Sequence, residues 1–219
     1  MASRERPPLK TLLALRYPTT ILLLGALLGV ALVTGSAWLD VPHGLIRAVG
    51  FRPTDLLHLD LLRLFGAALF TDGPWSLIQA LALTGVGVAL LERRAGSLTA
   101  LLAFALLHAL AFATVTLLYA VPATTGLVRN SRDIGASAGY FGVLAFSAAM
   151  APRWRSALVA FTALTATVWL VTTSAPHALP RSVNAGAEHV ATLVYGGAAG
   201  WLAERFRRLR GATGSRRGA

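Results

Sequence analysis

The chain has 219 residues, of which 55% are hydrophobic and only 13% charged, and it carries a net charge of +11. Soluble domains carry about 25% charged residues, so this composition excludes a disordered chain and a soluble nucleic-acid-binding domain. The absence of cysteine also excludes disulfide scaffolds, cysteine-ligated metal centres and thiol nucleophiles. We expect a membrane protein with no metal, no cofactor and no nucleic-acid partner.

Continuous apolar stretches predict the membrane-spanning helices, because a helix needs about 20 apolar residues to cross a bilayer. The first stretch is too long for a signal peptide and lacks a clear cleavage site, which favours a retained span. The prediction is an all-α, polytopic six-span bundle over residues 19–203, with a basic N-terminus (1–18) and a basic tail (204–219) whose last nine residues are disordered. The six spans cover residues 19–38, 64–91, 98–121, 135–151, 156–173 and 186–203.

The distribution of basic residues predicts the orientation. The N-terminus, the tail and the loops after the second and fourth spans hold 14 of the 20 basic residues. Cytoplasmic segments carry such an excess, so both termini are expected in the cytoplasm. The alternative is a five-span protein whose short fourth segment is buried or re-entrant, which would place the tail outside. The basic residues are 19 arginines and one lysine, a bias that suggests a bacterial protein of the inner membrane.

Two external loops differ in character. Residues 39–63 alternate apolar and polar side chains, which is typical of an element lying on the membrane surface. Residues 122–134 are polar and are expected to be flexible.

A few polar residues lie inside the spans, where each is costly and therefore a candidate for function. Ser137 lies in the small-residue run Gly135-Ala-Ser-Ala-Gly139, and His189 follows 52 residues later. A neutral imidazole can activate a serine hydroxyl as a nucleophile. The structural alternatives are a small-residue helix contact for Ser137 and a histidine bonded to a backbone carbonyl for His189. For His108, we expect that structural role.

These residues and their neighbours resemble the rhomboid family of intramembrane serine proteases over most of the chain. Gly135-Ala-Ser137 is similar to the family's nucleophile motif at the start of its short fourth span. The run from Asn184 to His189 resembles the small-residue approach to its sixth-span histidine. Two further motifs also resemble the family. They are the Leu62-Arg63 pair before the second span and the turn Glu92-Arg-Arg-Ala-Gly96-Ser97 after it.

The resemblance implies a catalytic dyad, with Ser137 as nucleophile and His189 as general base. The substrate would be the transmembrane helix of another membrane protein, cleaved near its external end. The partners are therefore a transmembrane substrate or client and the lipid bilayer. We also expect the aromatic pair Tyr140-Phe141, just after the nucleophile, to pack against the ring of His189.

The oxyanion hole is where this chain differs from the family's pattern. The family usually carries a His-x-x-x-Asn pair on the second span, and the corresponding positions here are Ser76 and Ala80. Ser76 and the neighbouring Gln79 are the candidate donors, together with the backbone N–H of Ser137. The difference supports an alternative function, a catalytically inactive rhomboid-like protein that binds transmembrane clients. A transporter or channel is a third possibility, disfavoured by the few charges in the spans and the lack of an inverted repeat.

Overall fold

A computed structural model describes residues 16–120, 132–173 and 180–215. Within these residues the chain is all-helical apart from one isolated antiparallel β-bridge between Phe51 and Asp133. A 3-10 turn at Pro152–Trp154 precedes α8. The α-helices are α1 (Pro18–Thr34), α2 (His43–Val49), α3 (Pro53–Leu57), α4 (Leu61–Ala67), α5 (Pro74–Ala95), α6 (Ser97–Ala120), α7 (Ser137–Ala149), α8 (Arg155–Thr173) and α9 (Pro180–Ser215).

Each of the six predicted apolar stretches contains a helix, but the boundaries differ, most clearly for the second and the sixth. The second begins at Pro74 and not at residue 64, because Gly73 adopts a positive φ of 90° and separates it from the short helix α4. Helix α9 continues to Ser215, so residues 211–215 of the tail predicted to be disordered are helical. Most of the loop predicted to be flexible, residues 122–131 of 122–134, lies outside the described residues.

Three helices of the described chain are long and apolar enough to cross a membrane: Pro74–Ala95, Ser97–Leu118 and Pro152–Thr173. Helices α1 and α7 are also apolar but shorter. The outward faces of these helices carry many exposed large apolar side chains, as expected of surfaces that contact lipid.

The buried carboxylate of Glu92 joins α5 to α1. It accepts hydrogen bonds from the backbone N–H groups of Thr19 and Thr20, at 2.8 and 3.0 Å, and from the Thr20 hydroxyl at 2.7 Å. The first N–H groups of a helix have no partner within it, so Glu92 satisfies those of α1 and lies near the positive end of its dipole. Gly96, with a φ of 87°, then ends α5.

Helix α7 lies at the centre of the bundle, where it packs most extensively against α9 and also against α5 and α6. One core cluster joins α7 to α1, α5 and α6 through Leu27, Val88, Leu107 and Val143. A second cluster contains Phe51, Leu64 and Phe112 and holds the segment of α2 to α4 against α6. Helix α8 packs mainly on α9 and has no buried residue.

Candidate active site

Helices α7 and α9 approach each other closely enough for backbone contact. The hydroxyl of Thr192 donates a hydrogen bond of 2.6 Å to the carbonyl oxygen of Ala138. A Cβ atom on Gly196 would overlap the carbonyl oxygen of Gly142, and one on Gly200 would overlap that of Phe146. All three contacts join residues 54 positions apart, at steps of four residues along both helices. The two helices are therefore parallel and keep one register over two turns.

This register places Ser137 and His189 at the same end of the helix pair. With a constant offset of 54 residues, His189 is level with Gly135, and Ser137 is level with Ala191. The difference in height is two residues, or about 3 Å along the helix axis. The parallel packing therefore places the two residues of the predicted dyad at a similar height.

The ring of His189 faces the side of α7 that carries Ser137. Its partner is Phe141, which it meets edge-on with ring centroids 4.8 Å apart. Phe141 lies four residues after Ser137 on α7 and hence on the same face. Tyr140 is buried in the core and contacts Phe141 rather than the imidazole.

The two histidines within the bundle have different hydrogen bonding. His108 is buried, and its Nε2 lies 3.2 Å from the carbonyl oxygen of Leu64, as expected for a structural role, whereas its Nδ1 has no hydrogen-bond partner. Nε2 of His189 is also buried but has no hydrogen-bond partner. Ser137 and His189 are thus neighbours in register without a hydrogen bond to Nε2. Hydrogen bonds between catalytic groups are often long in unliganded enzymes and tighten when substrate binds.

The backbone that leads into Ser137 is fixed by distant segments. Phe51 and Asp133 exchange two backbone hydrogen bonds of 2.9 Å, and Gly135 donates one of 2.9 Å to the carbonyl of Ala67. Gly135 adopts a φ of 132°, which residues with a side chain rarely adopt. Ser137 then begins α7, where the first N–H groups have no acceptor within the helix. These groups are available to an oxyanion.

The two oxyanion candidates on α5 differ in burial. Gln79 is exposed. Ser76 is half-buried and lies one turn before Ala80, which is buried in the same cluster as Ala136 and Tyr140. Ser76 therefore lies on the side of α5 that faces the start of α7.

The remaining motif residues contribute to packing or to ion pairs. A Cβ on Gly139 would approach the ring of Phe104 at 2.6 Å, so the small residue allows α6 to pack there. Arg63 of α4 pairs with Asp55 of α3 and with Asp60, which precedes α4. Glu92 and Gly96 lie at the far end of α5, about 24 and 30 Å from Ser76 at about 1.5 Å per residue.

Sequence reasoning missed the role of Thr192. Its hydroxyl donates a buried side-chain hydrogen bond that joins α9 to α7. The available signal is the spacing of Thr192, Gly196 and Gly200, because residues four apart lie on one helix face.

Comparison with known proteins adds no relative: no family model matches the chain, and no curated protein or solved structure matches it. Among the described residues, no group of three or more histidine, aspartate or glutamate side chains is placed to hold a metal ion.

Proposed function

We propose that this chain is a rhomboid-like intramembrane serine protease that spans the membrane six times and cleaves transmembrane helices of other proteins. The observation that carries the proposal is the position of His189. Its Nε2 is buried without a partner, level with the first turn of α7 and against the face that carries Ser137. Buried polar atoms are nearly always hydrogen-bonded, so an exception beside a serine favours a catalytic role.

In the proposed reaction, Ser137 attacks the scissile carbonyl while His189 accepts its proton. The same imidazole then protonates the leaving amine. The backbone N–H of Ser137 and the hydroxyl of Ser76 stabilise the oxyanion, and the exposure of Gln79 makes it the weaker candidate. Water then releases the acyl group from Ser137 by the same steps in reverse order.

The length of α7 supports a reaction below the membrane surface. Its 13 residues extend about 20 Å, whereas the hydrocarbon core is about 30 Å thick. The non-helical residues before Ser137 therefore lie at membrane depth, where irregular backbone is tolerated only inside protein or beside water. Hydrogen bonds to Phe51 and Ala67 hold these residues inside protein. A water-filled approach from the external side would also place them beside water.

An inactive protein that binds transmembrane clients is the second candidate. It is favoured by Ala80, whose methyl group occupies a family oxyanion position and is buried against Ala136 and Tyr140. No side-chain donor replaces the usual amide there. Losing one oxyanion donor costs about 10²–10³-fold in rate, which slows a protease without abolishing it.

Cleavage of a transmembrane reporter in proteoliposomes tests the proposal. Ser137→Ala and His189→Ala should each lower the rate by about 10³-fold or more, because both residues act in one step. Ser147→Ala is the matched control, since it makes the same change on the same helix two or three turns away. It should retain cleavage.

A serine-directed fluorophosphonate probe separates the two candidates. Labelling that disappears in Ser137→Ala and persists in Ser147→Ala supports the protease. Capture of a transmembrane client without any labelling supports the inactive protein, and cleavage that survives in Ser137→Ala contradicts the mechanism.

A further inference from the structure

An apolar groove of about 540 Å³ runs between α8 and α9. Its walls include Leu158, Val159 and Ala163 of α8 and Val194 of α9. Because α8 has no buried residue, the groove faces the surroundings of the bundle and not its core. An apolar molecule bound in the groove would cover these walls and replace their contact with mobile lipid.

The groove ends at a group of arginines. It shares Arg155 and Trp201 with a smaller pocket of about 120 Å³, which adds Glu204, Arg205 and Arg208. Nε of Arg155 donates to the carbonyl of Ala149 at 2.9 Å, which leaves its two terminal nitrogens available.

The acidic residue of this pocket is already neutralised. Glu204 pairs with Arg207 and with Arg208, each at 2.9 Å. Four arginines, Arg155 and Arg205 among them, therefore surround one carboxylate and leave a net positive charge at the mouth of the groove.

Two tryptophans indicate that this arginine-lined end of the groove lies at the level of lipid headgroups. Trp201 is 43% exposed and Trp154 is 51% exposed. The guanidinium groups of Arg205 and Arg153 lie over their rings, at 5.5 and 5.9 Å from the centroids. Tryptophan is enriched at the boundary between membrane and water, so the arginines beside it are at the depth of lipid phosphates.

We propose that this groove binds one anionic phospholipid, with an acyl chain between α8 and α9 and the phosphate against Arg155, Arg205 and Arg208. Guanidinium groups bind phosphate oxygens in pairs, and basic pockets between helices are suited to acidic headgroups. A transmembrane helix about 10 Å across occupies roughly 1,200 Å³ in each 15 Å of length, more than the groove encloses. The inference needs the chain to lie in a bilayer and does not depend on protease activity.

Native mass spectrometry of the full chain tests the proposal after release from phosphatidylcholine nanodiscs that contain phosphatidylglycerol. The wild type should retain one phosphatidylglycerol molecule in preference to phosphatidylcholine. Arg205→Gln with Arg208→Gln should lower this retention by about fivefold for each arginine removed. Ala163→Phe should also lower it, because the ring fills the groove without changing any charge.

Two controls separate the groove from general attraction to a basic protein. Ala160→Phe makes the same exchange at another exposed position of α8, outside the groove, and Arg47→Gln removes a charge from α2. Both should retain the lipid. Equal retention in Ala163→Phe and the wild type would overturn the proposal, as would full displacement of the lipid by inorganic phosphate alone. Crosslinking of a transmembrane peptide at position 163, in place of lipid, would assign the groove to a protein partner instead.

Discussion

Three polar side chains within the bundle show that residue type alone does not determine their role. Glu92 and His108 both find backbone partners, whereas Nε2 of His189 finds none. An unsatisfied buried group costs about 1–3 kcal/mol. Thr84 Oγ1 is unsatisfied as well, so the missing partner is not sufficient to indicate function. His189 differs because it lies level with the first turn of α7, against the face of Ser137.

Asp55 makes the strongest set of hydrogen bonds among the acidic residues in the segment of α2 to α4. It accepts hydrogen bonds from the backbone N–H, Nε and Nη2 of Arg52 at 2.8–2.9 Å, and Arg63 lies 3.6 Å away. Burial acts to raise the pKa of Asp55. The hydrogen bonds and charge of Arg52, with the charge of Arg63, outweigh burial and lower the pKa below its ordinary value of 3.8. Asp55 is therefore charged at neutral pH and stabilises the segment that leads to α4.

Asp55→Asn should reduce stability at pH 7 by about 2 kcal/mol, because hydrogen bonds to a charged group are lost. A lowered pKa contributes stability that is complete above the unfolded pKa and lost as the pH falls through the folded one. The difference between wild type and variant should therefore shrink below about pH 4. Thermal unfolding in detergent from pH 7 to pH 3 measures both effects.

Asp60→Asn is the control for this prediction. Asp60 accepts a hydrogen bond from the N–H of Arg63 and caps α4. Asparagine caps a helix about as well as aspartate, so stability should change by less than about 1 kcal/mol. A pH-independent difference between Asp55→Asn and the wild type would contradict the assignment of a charged Asp55.

At the scale of elements, the contact between α7 and α9 sets the geometry of the candidate site. Gly196→Ala would place a methyl group on the carbonyl oxygen of Gly142 and force the helices apart. We expect a loss of about 1–3 kcal/mol in stability and a clear drop in cleavage, because the register that aligns Ser137 with His189 depends on this contact. Thermal unfolding and reporter cleavage are the measurements.

The adjacent glycine provides the matched control. A Cβ on Gly197 would lie 3.4 Å from Leu158 Cδ2, an ordinary contact. Gly197→Ala should therefore change stability by less than about 1 kcal/mol and preserve cleavage. If both variants behave alike, close packing at Gly196 does not position the dyad.

The helices of this bundle could be predicted from the sequence, but their packing could not. Most long helices contain a continuous apolar run, although α9 extends beyond its run into charged residues. Proline, glycine or arginine marks many of the ends, as Pro74 and Gly96 do for α5. The register between α7 and α9 depends on contacts across 54 residues, for which a single sequence carries no pairing signal. The greater burial of Ser76 than of Gln79 could not be predicted either, because it depends on how α5 is rotated against α7.

At the scale of the whole molecule, the short α7 requires support from the rest of the chain. The backbone before Ser137 is bonded to Phe51 and to Ala67, and so connects α7 to the segment of α2 to α4. Phe51 in turn packs edge-on against Phe112 of α6, with ring centroids 4.9 Å apart. The segment of α2 to α4 therefore closes one end of the bundle around the start of α7. The orientation of this end in the membrane decides from which side a substrate and water would enter.

Single cysteines can determine this orientation, because the natural chain has none and each variant then carries one thiol. A six-span chain places Arg16→Cys, Ser156→Cys and Phe206→Cys on one side of the membrane and Gly44→Cys on the other, all at exposed positions. A membrane-impermeant maleimide should then label only Gly44→Cys in intact spheroplasts and the other three in inverted vesicles. In a five-span chain with a re-entrant α7, Ser156→Cys and Phe206→Cys would instead be labelled together with Gly44→Cys. That result would place the basic tail outside, against the excess of arginine that favours the cytoplasm, and would leave the start of α7 with Ser137 on the side of Gly44.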